Sequence, residues 1–135
     1  MNLIVCLDDR NGMCFNRRRQ SRDRELARRL PEDCGGGTLW LAPESLTFFG
    51  ELPESGRIDG DYMSMASGED YCFCEDGRWL ARRAEVRSII VYRWNRVYPA
   101  DIRFPQEELD RRHRTVEAEF AGSSHERITL ERYTL

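Results

Sequence analysis

The chain has 135 residues, of which 33% are charged, and its formal net charge is −3. All 21 basic residues are arginine, which excludes lysine Schiff-base chemistry and a Walker-type phosphate lysine. No apolar run approaches the roughly 20 residues that a membrane span needs, so we expect no contact with a membrane. The length fits one compact domain that buries its own core.

Cysteine usage and the first residues both bear on the cellular compartment. The five cysteines are odd in number and irregularly spaced, which favours reduced thiols over a disulfide framework. The segment Met1–Asp9 has no basic leader and reaches two carboxylates early, unlike a signal peptide. We therefore expect a cytoplasmic protein.

The first third of the chain predicts a buried strand, a loop and a helix. The apolar run Leu3–Leu7 predicts a strand, and the polar stretch Asp8–Gln20 predicts a loop. Ser21 is a candidate N-cap for a helix over Arg22–Leu30, which Pro31 is expected to end.

The middle of the chain predicts a second strand, a short helix and a long loop. Thr38–Leu41 is a buried strand, and Pro43–Gly50 has the proline and glycine that open and close a helix. Glu51–Glu69 is polar and lacks periodicity, so we predict a long surface loop with at most one helical turn, at Tyr62–Met65.

The remainder predicts a parallel unit followed by a hairpin. Strands over Tyr71–Cys74 and Ser88–Tyr92 flank a helix over Arg78–Glu85, which is a βαβ unit. Arg114–Phe120 and Arg127–Tyr133 alternate in polarity and predict an antiparallel hairpin. The fold class is therefore α/β, with a parallel centre, an antiparallel C-terminal hairpin and helices on both faces.

Positive charge is concentrated in the segment Arg17–Arg29, which holds seven arginines and only two acids. Such a patch can bind phosphate groups or RNA. The alternative is a solvated helix face with intrahelical ion pairs, which the absence of interleaved aromatic residues favours.

The order of these elements resembles the dihydrofolate reductase superfamily. Met1–Gly12 resembles that family's first strand with its active-site loop, and Thr38–Gly50 resembles its second strand with the next helix. Cys72–Tyr92 is similar to its late βαβ unit, and Tyr98–Pro105 is similar to its "GDTxFP" turn. The resemblance implies one shortened, divergent domain over residues 1–135, in which the loop at about 51–69 stands where the family has a further βαβ unit.

The resemblance also implies a ligand site. Asp23 matches the carboxylate that binds and helps protonate the pterin ring, and is the candidate catalytic residue. Tyr92 stands where the family has a threonine beneath the pterin, and Ser45 matches a hydroxyl contact of its cofactor. The candidate ligand-binding residues are Cys6, Arg19, Ser21, Ser45 and Tyr92.

Cofactor binding is not expected. Pro43 replaces the family's phosphate-binding arginine, and Glu75 and Asp76 replace a glycine pair that admits the pyrophosphate. We therefore expect no NADPH binding, because two carboxylates would repel its phosphates. We expect a protein without reductase activity that binds a small heterocyclic or anionic ligand. The alternatives are a reductase of a pterin- or flavin-like substrate and an RNA- or nucleotide-binding module that uses Arg17–Arg29.

A second resemblance is to small bacterial proteins labelled ribonuclease Z. The matching residues are Asn11–Met13, Asn16, Arg18–Ser21, Asp23, Trp94–Pro99 and Ala121–Thr129. That label implies a two-zinc nuclease, whose His-x-His-x-Asp-His cluster cannot be assembled from His113 and His125 alone. We therefore expect no metal site.

Two further clusters have a structural interpretation that we favour. Cys72 and Cys74 lie on one face of a strand, where core packing is commoner than zinc binding. Ser123 and Ser124 precede His125 in a predicted turn, where turn hydrogen bonding is commoner than nucleophilic catalysis.

Overall fold

The computed structural model describes all residues, 1–135. Its strands are β1 (Asn2–Leu7), β2 (Gly12–Phe15), β3 (Arg18–Arg19), β4 (Leu39–Leu41), β5 (Gly56–Ile58), β6 (Tyr71–Phe73), β7 (Ser88–Arg93), β8 (Ile102–Arg103), β9 (His113–Phe120) and β10 (Ile128–Thr134). Its helices are α1 (Arg24–Asp33), α2 (Leu46–Phe49), α3 (Tyr62–Met65), α4 (Gln106–Asp110) and two 3-10 helices, Pro43–Ser45 and Gly77–Glu85.

Seven strands form one sheet in the order β5-β4-β6-β1-β7-β10-β9. The first five are parallel, β10 runs antiparallel to β7, and β9 runs antiparallel to β10. The predicted α/β class, parallel centre and antiparallel C-terminal pair are therefore confirmed. The predicted βαβ unit joins β6 to β7 with β1 between them, because both strands pair with β1.

The core lies on both faces of this sheet, because alternate residues of β1 face opposite sides. Leu3 and Val5 pack in one buried cluster with Trp79 of the second 3-10 helix. Ile4 packs in the other cluster with Leu26 of α1. A strand buried on both faces is a continuous apolar run, which is why β1 could be predicted from its sequence.

Helix α1 begins later and ends later than the sequence indicates. Its N-cap is Asp23, whose side chain accepts hydrogen bonds from the backbone amides of Glu25 and Leu26. Ser21 is therefore not the cap, and the carboxylate two residues on performs that role. Pro31 lies inside the last turn, because its fixed φ is compatible with helix and only one backbone donor is lost.

The predicted loop Asp8–Gln20 contains a hairpin. Strands β2 and β3 pair antiparallel with Phe15 opposite Arg18, and β8 pairs on the other side of β2 to complete a three-stranded sheet. The two turn residues, Asn16 and Arg17, both have positive φ, of 51° and 63°. That is the two-residue type I′ geometry, in which the second position usually holds glycine. Strands this short have no alternation to detect.

The segment 51–69 is more ordered than a surface loop. It contains β5, which extends the sheet parallel to β4, and α3, at the predicted position of a helical turn. The predicted helix over Arg78–Glu85 forms a 3-10 helix from Gly77, with a kink at Arg82. No helix in the structure is long and apolar enough to cross a membrane.

The turn geometry predicts an increase in stability for Arg17→Gly. Glycine relieves the left-handed strain of an L-residue, about 1–2 kcal/mol, against roughly 0.5–1 kcal/mol of added chain entropy in the unfolded state. Arg17 makes no side-chain hydrogen bond or ion pair that would be lost. We expect the free energy of unfolding, measured in urea, to rise by about 0.5–1 kcal/mol.

Arg18→Gly is the matched control, because Arg18 carries the same side chain in a strand with ordinary φ. There glycine should lower the free energy of unfolding by about 0.5–1 kcal/mol. Equal effects at the two positions would contradict the proposed strain at Arg17.

Candidate functional site

A cavity of about 820 Å³ opens at the carboxyl edge of the parallel strands β4 and β6. This is the edge at which open α/β sheets bind ligands. The residues that follow these strands form one wall, and the β2–β3 hairpin forms the other. Its lining comprises Cys14, Arg17, Arg18, Arg19, Glu44, Glu75, Asp76, Gly77, Arg78 and Ile102.

Arg19 and Glu75 form a two-pronged ion pair across the cavity. The Arg19 Nε donates to Glu75 Oε1 at 2.7 Å, and an Nη donates to Oε2 at 3.0 Å. The other Nη donates to Thr47 Oγ1 at 2.8 Å. Bidentate arginine–carboxylate pairs of this kind are the strong ones. The pair therefore joins the hairpin to the sheet edge.

Arg78 pairs with both of the remaining acids of the cavity. Its Nε donates to both carboxylate oxygens of Asp76, at 3.0 and 3.1 Å, and its Nη donates to Glu44. These bonds outweigh the cost of burial and raise the pKa of Arg78 above its ordinary value. The repulsion expected from Glu75 and Asp76 toward an anion is thus offset by arginines already in contact with them.

Arg17 and Arg18 are different, because neither makes a side-chain hydrogen bond or an ion pair with any protein group. Both are exposed and both line the cavity. The sequence singled them out only as members of an arginine-rich segment. Their role as the free cations of the cavity was not predicted, since it depends on which arginines the acids engage.

Three of the predicted ligand-binding residues lie together. Cys6, Arg19 and Ser21 line a second cavity of only about 10 Å³, directly beneath the Arg19–Glu75 pair. Ser45 joins this group indirectly, because its hydroxyl donates to Glu75 Oε2 at 2.8 Å. Burial raises the pKa of the Cys6 thiol well above its ordinary value, so this thiol stays protonated.

Tyr92 lies beside Cys6 in the register of β7 and β1, but its hydroxyl points to a different partner. It donates to Asp33 Oδ2 at the end of α1, at 2.7 Å. Burial and this bond raise the pKa of Tyr92. The structure therefore leaves Tyr92 outside the group formed by the other predicted residues.

Asp23, the candidate catalytic residue, is 1% exposed and accepts five hydrogen bonds. The donors are the backbone amides of Glu25, Leu26, Ser123 and Ser124 and the Nδ1 of His125, at 2.7–3.1 Å. Both oxygens are fully engaged, which leaves no acceptor for the edge of a ligand. Although burial alone would raise its pKa, the bonds from His125, Ser124 and Ser123 hold the pKa well below its ordinary value.

The close approach of the hairpin turn to Asp23 requires glycine at position 122. A Cβ on Gly122 would fall on the Asp23 carboxylate. The amide of Gly122 donates to the carbonyl of His125 at 2.9 Å, which closes the turn between β9 and β10. The turn therefore presents its amides to Asp23 at the start of α1.

His125 is a central residue of the site, although its sequence context favours turn hydrogen bonding over a role in nucleophilic catalysis. Its Nε2 lies 3.1 Å from Ser21 Oγ and 3.0 Å from the Tyr98 hydroxyl. Its ring stacks on Trp94, with 4.5 Å between the centroids. Its neighbours in space come from two distant segments, residues 21–23 and 94–98, so spacing could not reveal them. The signal in the sequence was the position of His125 directly after two serines, Ser123 and Ser124.

Most of the arginines between Arg17 and Arg29 have protein partners. Arg28 pairs with Glu25 and Glu32, and Arg29 pairs with Asp33, all within α1. These are the intrahelical ion pairs that the second interpretation of this segment predicts. The patch is therefore divided into neutralised pairs and a few free side chains.

No three His, Cys, Asp or Glu side chains in the structure are grouped so that they could hold a metal ion. Asp8, at the end of β1, is buried and its oxygens accept from the amides of Arg10, Gly12 and Tyr98 and from the Gln20 side chain. These bonds lower its pKa against the effect of burial. Asp8 thus organises the loop that follows β1.

No family model matches the sequence, and no match is found among the curated proteins.

The geometry of Asp23 predicts that Asp23→Asn destabilises the fold. An amide group would face the donors of Ser124 and His125 without an acceptor, at a cost of about 2–3 kcal/mol. The depressed pKa adds a pH signature: the ionised carboxylate stabilises the fold above about pH 4, and this contribution is lost as the pH falls further. Urea unfolding between pH 3 and pH 7 measures both effects.

Asp9→Asn is the control, because Asp9 is the exposed neighbour of a buried acid and its side chain makes no hydrogen bond. It should leave both the stability and its acid dependence unchanged. An Asp23→Asn variant as stable as the wild type at pH 7 would refute the role assigned to this carboxylate.

Proposed function

We propose that this protein binds a small anionic ligand, with a phosphate or carboxylate group, in the 820 Å³ cavity. The observation that carries the proposal is the pair of free guanidinium groups, Arg17 and Arg18, in a cavity whose carboxylates all have arginine partners. Guanidinium forks match phosphate and carboxylate geometry, so an anion would complete the pattern of pairs.

The charge balance of the cavity supports an anion over a cation. Four arginines face three carboxylates, so the lining carries one net positive charge, and each carboxylate already has an arginine partner. An incoming anion meets the two unpaired arginines, whereas a cation would have to displace Arg19 or Arg78 from short hydrogen bonds.

We also propose that the chain is a shortened member of the dihydrofolate-reductase-like superfamily. Support comes from the sheet, in which the segments that carry the resemblance supply β1, β4, β6 and β7, with an antiparallel C-terminal pair at the edge. The engaged oxygens of Asp23 favour a binding protein over the alternative of a pterin reductase.

The binding proposal predicts the effect of neutralising either free arginine. Arg17→Gln and Arg18→Gln each remove one charge-assisted contact, so each should weaken the binding of inorganic pyrophosphate by about 10- to 100-fold. Isothermal titration calorimetry with pyrophosphate measures this. Affinity should also fall as the salt concentration rises, because exposed charges are screened.

Arg10→Gln supplies the matched control, since Arg10 is an equally exposed and unpaired arginine that does not line the cavity. It should leave the affinity within about twofold. Equal weakening by all three variants would indicate non-specific attraction and overturn the proposal. Micromolar NADPH binding, measured by fluorescence titration, would contradict it as well and favour the reductase.

A further inference from the structure

Ser21, His125 and Asp23 form a chain of hydrogen bonds outside the anion cavity. Asp23 Oδ2 lies 3.0 Å from His125 Nδ1, and His125 Nε2 lies 3.1 Å from Ser21 Oγ. A hydroxyl on a base, with the base held by a buried carboxylate, is the arrangement that activates a serine nucleophile. We propose that Ser21 is a nucleophile, with His125 as its general base and Asp23 as the group that orients the base.

The environment of His125 determines which nitrogen faces the serine. Asp23 is an ionised carboxylate and can only accept, so Nδ1 carries a proton, and in the neutral ring Nε2 presents its lone pair to Ser21. Stacking on Trp94, at an interplanar angle of 24°, fixes the plane of the ring. His125 is 5% exposed, whereas Ser21 is half-buried and reaches solvent. The base is thus shielded from solvent, and the residue that carries the hydroxyl is only partly covered.

Backbone donors for a developing oxyanion are present beside the serine. The N–H groups of Ser21 and Arg22 donate to no acceptor in the protein. The amide that follows the nucleophile is a usual member of an oxyanion hole. The segment that holds Ser21 therefore has two backbone N–H groups next to the nucleophile that no protein acceptor occupies.

The reaction that this group supports is the hydrolysis of a small, activated carboxylic ester. Ser21 Oγ bonds to the carbonyl carbon as its proton passes to His125 Nε2, and the alcohol leaves with that proton. Water then adds to the acyl-serine by the same route, which releases the acid and restores Ser21. The cavity of about 10 Å³ beside Ser21 admits a water molecule and no acyl group, so the ester must approach from the exposed side.

Tyr98 also contacts the base, because its hydroxyl lies 3.0 Å from His125 Nε2. One lone pair cannot fully accept from two hydroxyl groups, so Tyr98 competes with Ser21 for the base. Removing that hydroxyl should increase the reactivity of Ser21. A group of merely structural hydrogen bonds would respond with lower stability and no gain in reactivity.

The test is covalent labelling of the full chain with a fluorophosphonate, read by peptide mass spectrometry, together with hydrolysis of p-nitrophenyl acetate. We expect the label on Ser21, none on that peptide in Ser21→Ala, and at least 100-fold slower labelling in His125→Gln. Tyr98→Phe should label about two- to tenfold faster. Ser124→Ala is the matched control and should label like the wild type, because the Ser124 side chain makes no hydrogen bond to His125.

Circular dichroism and urea unfolding establish which variants are folded. If His125→Gln fails to fold, the labelling rate of Tyr98→Phe relative to the wild type still tests whether His125 activates Ser21. Labelling of Ser21 no faster than that of an unstructured serine peptide overturns the proposal, and so does labelling unaffected by Tyr98→Phe. Because the inference does not use Arg17 or Arg18, the pyrophosphate result stands or falls independently of it.

Discussion

The buried carboxylate of Asp23 is the constraint on which much of this structure depends. An ionised group out of contact with water is tolerated only where donors surround it. Here the donors come from the first turn of α1 and from the turn between β9 and β10, so the two must be in place together. His125 extends the same network to Ser21 and to the segment around Tyr98.

Asp8 plays a similar part for the other side of the same region. Tyr98 joins the two acids, since its backbone amide donates to Asp8 and its hydroxyl contacts His125. The segments around the carboxyl edge are thereby fixed by two buried negative charges. The tip of the β2–β3 hairpin is left outside this network, and it is the part that carries Arg17. The molecule thus combines a carboxyl edge that is held by hydrogen bonds with an exposed, strained turn that carries positive charge.

The sheet was largely predictable, whereas the partners within the site were not. Continuous apolar runs such as Leu3–Leu7 and Ser88–Tyr92 identify buried strands without tertiary information. Strands of two to four residues, such as β3 and β5, form because a neighbouring strand pairs with them. Their sequences are too short to show an alternation of polar and apolar residues. Asp23 could be selected as an important acid, but its donors lie about a hundred residues along the chain. Among 21 arginines and 24 acids, only the folded geometry decides which remain unpaired.

The position of β1 has a consequence for the folding rate. Residue 2 pairs with residue 71 on one side and with residue 88 on the other, so β1 leaves the ribosome before either of its neighbours. Until then an apolar segment buried on both faces in the native state stays without partners. Contacts this distant in sequence slow the search for the native pairing. The central strand β1 is therefore made well before both of the strands that pair with it, and the nascent chain is exposed to aggregation until they follow.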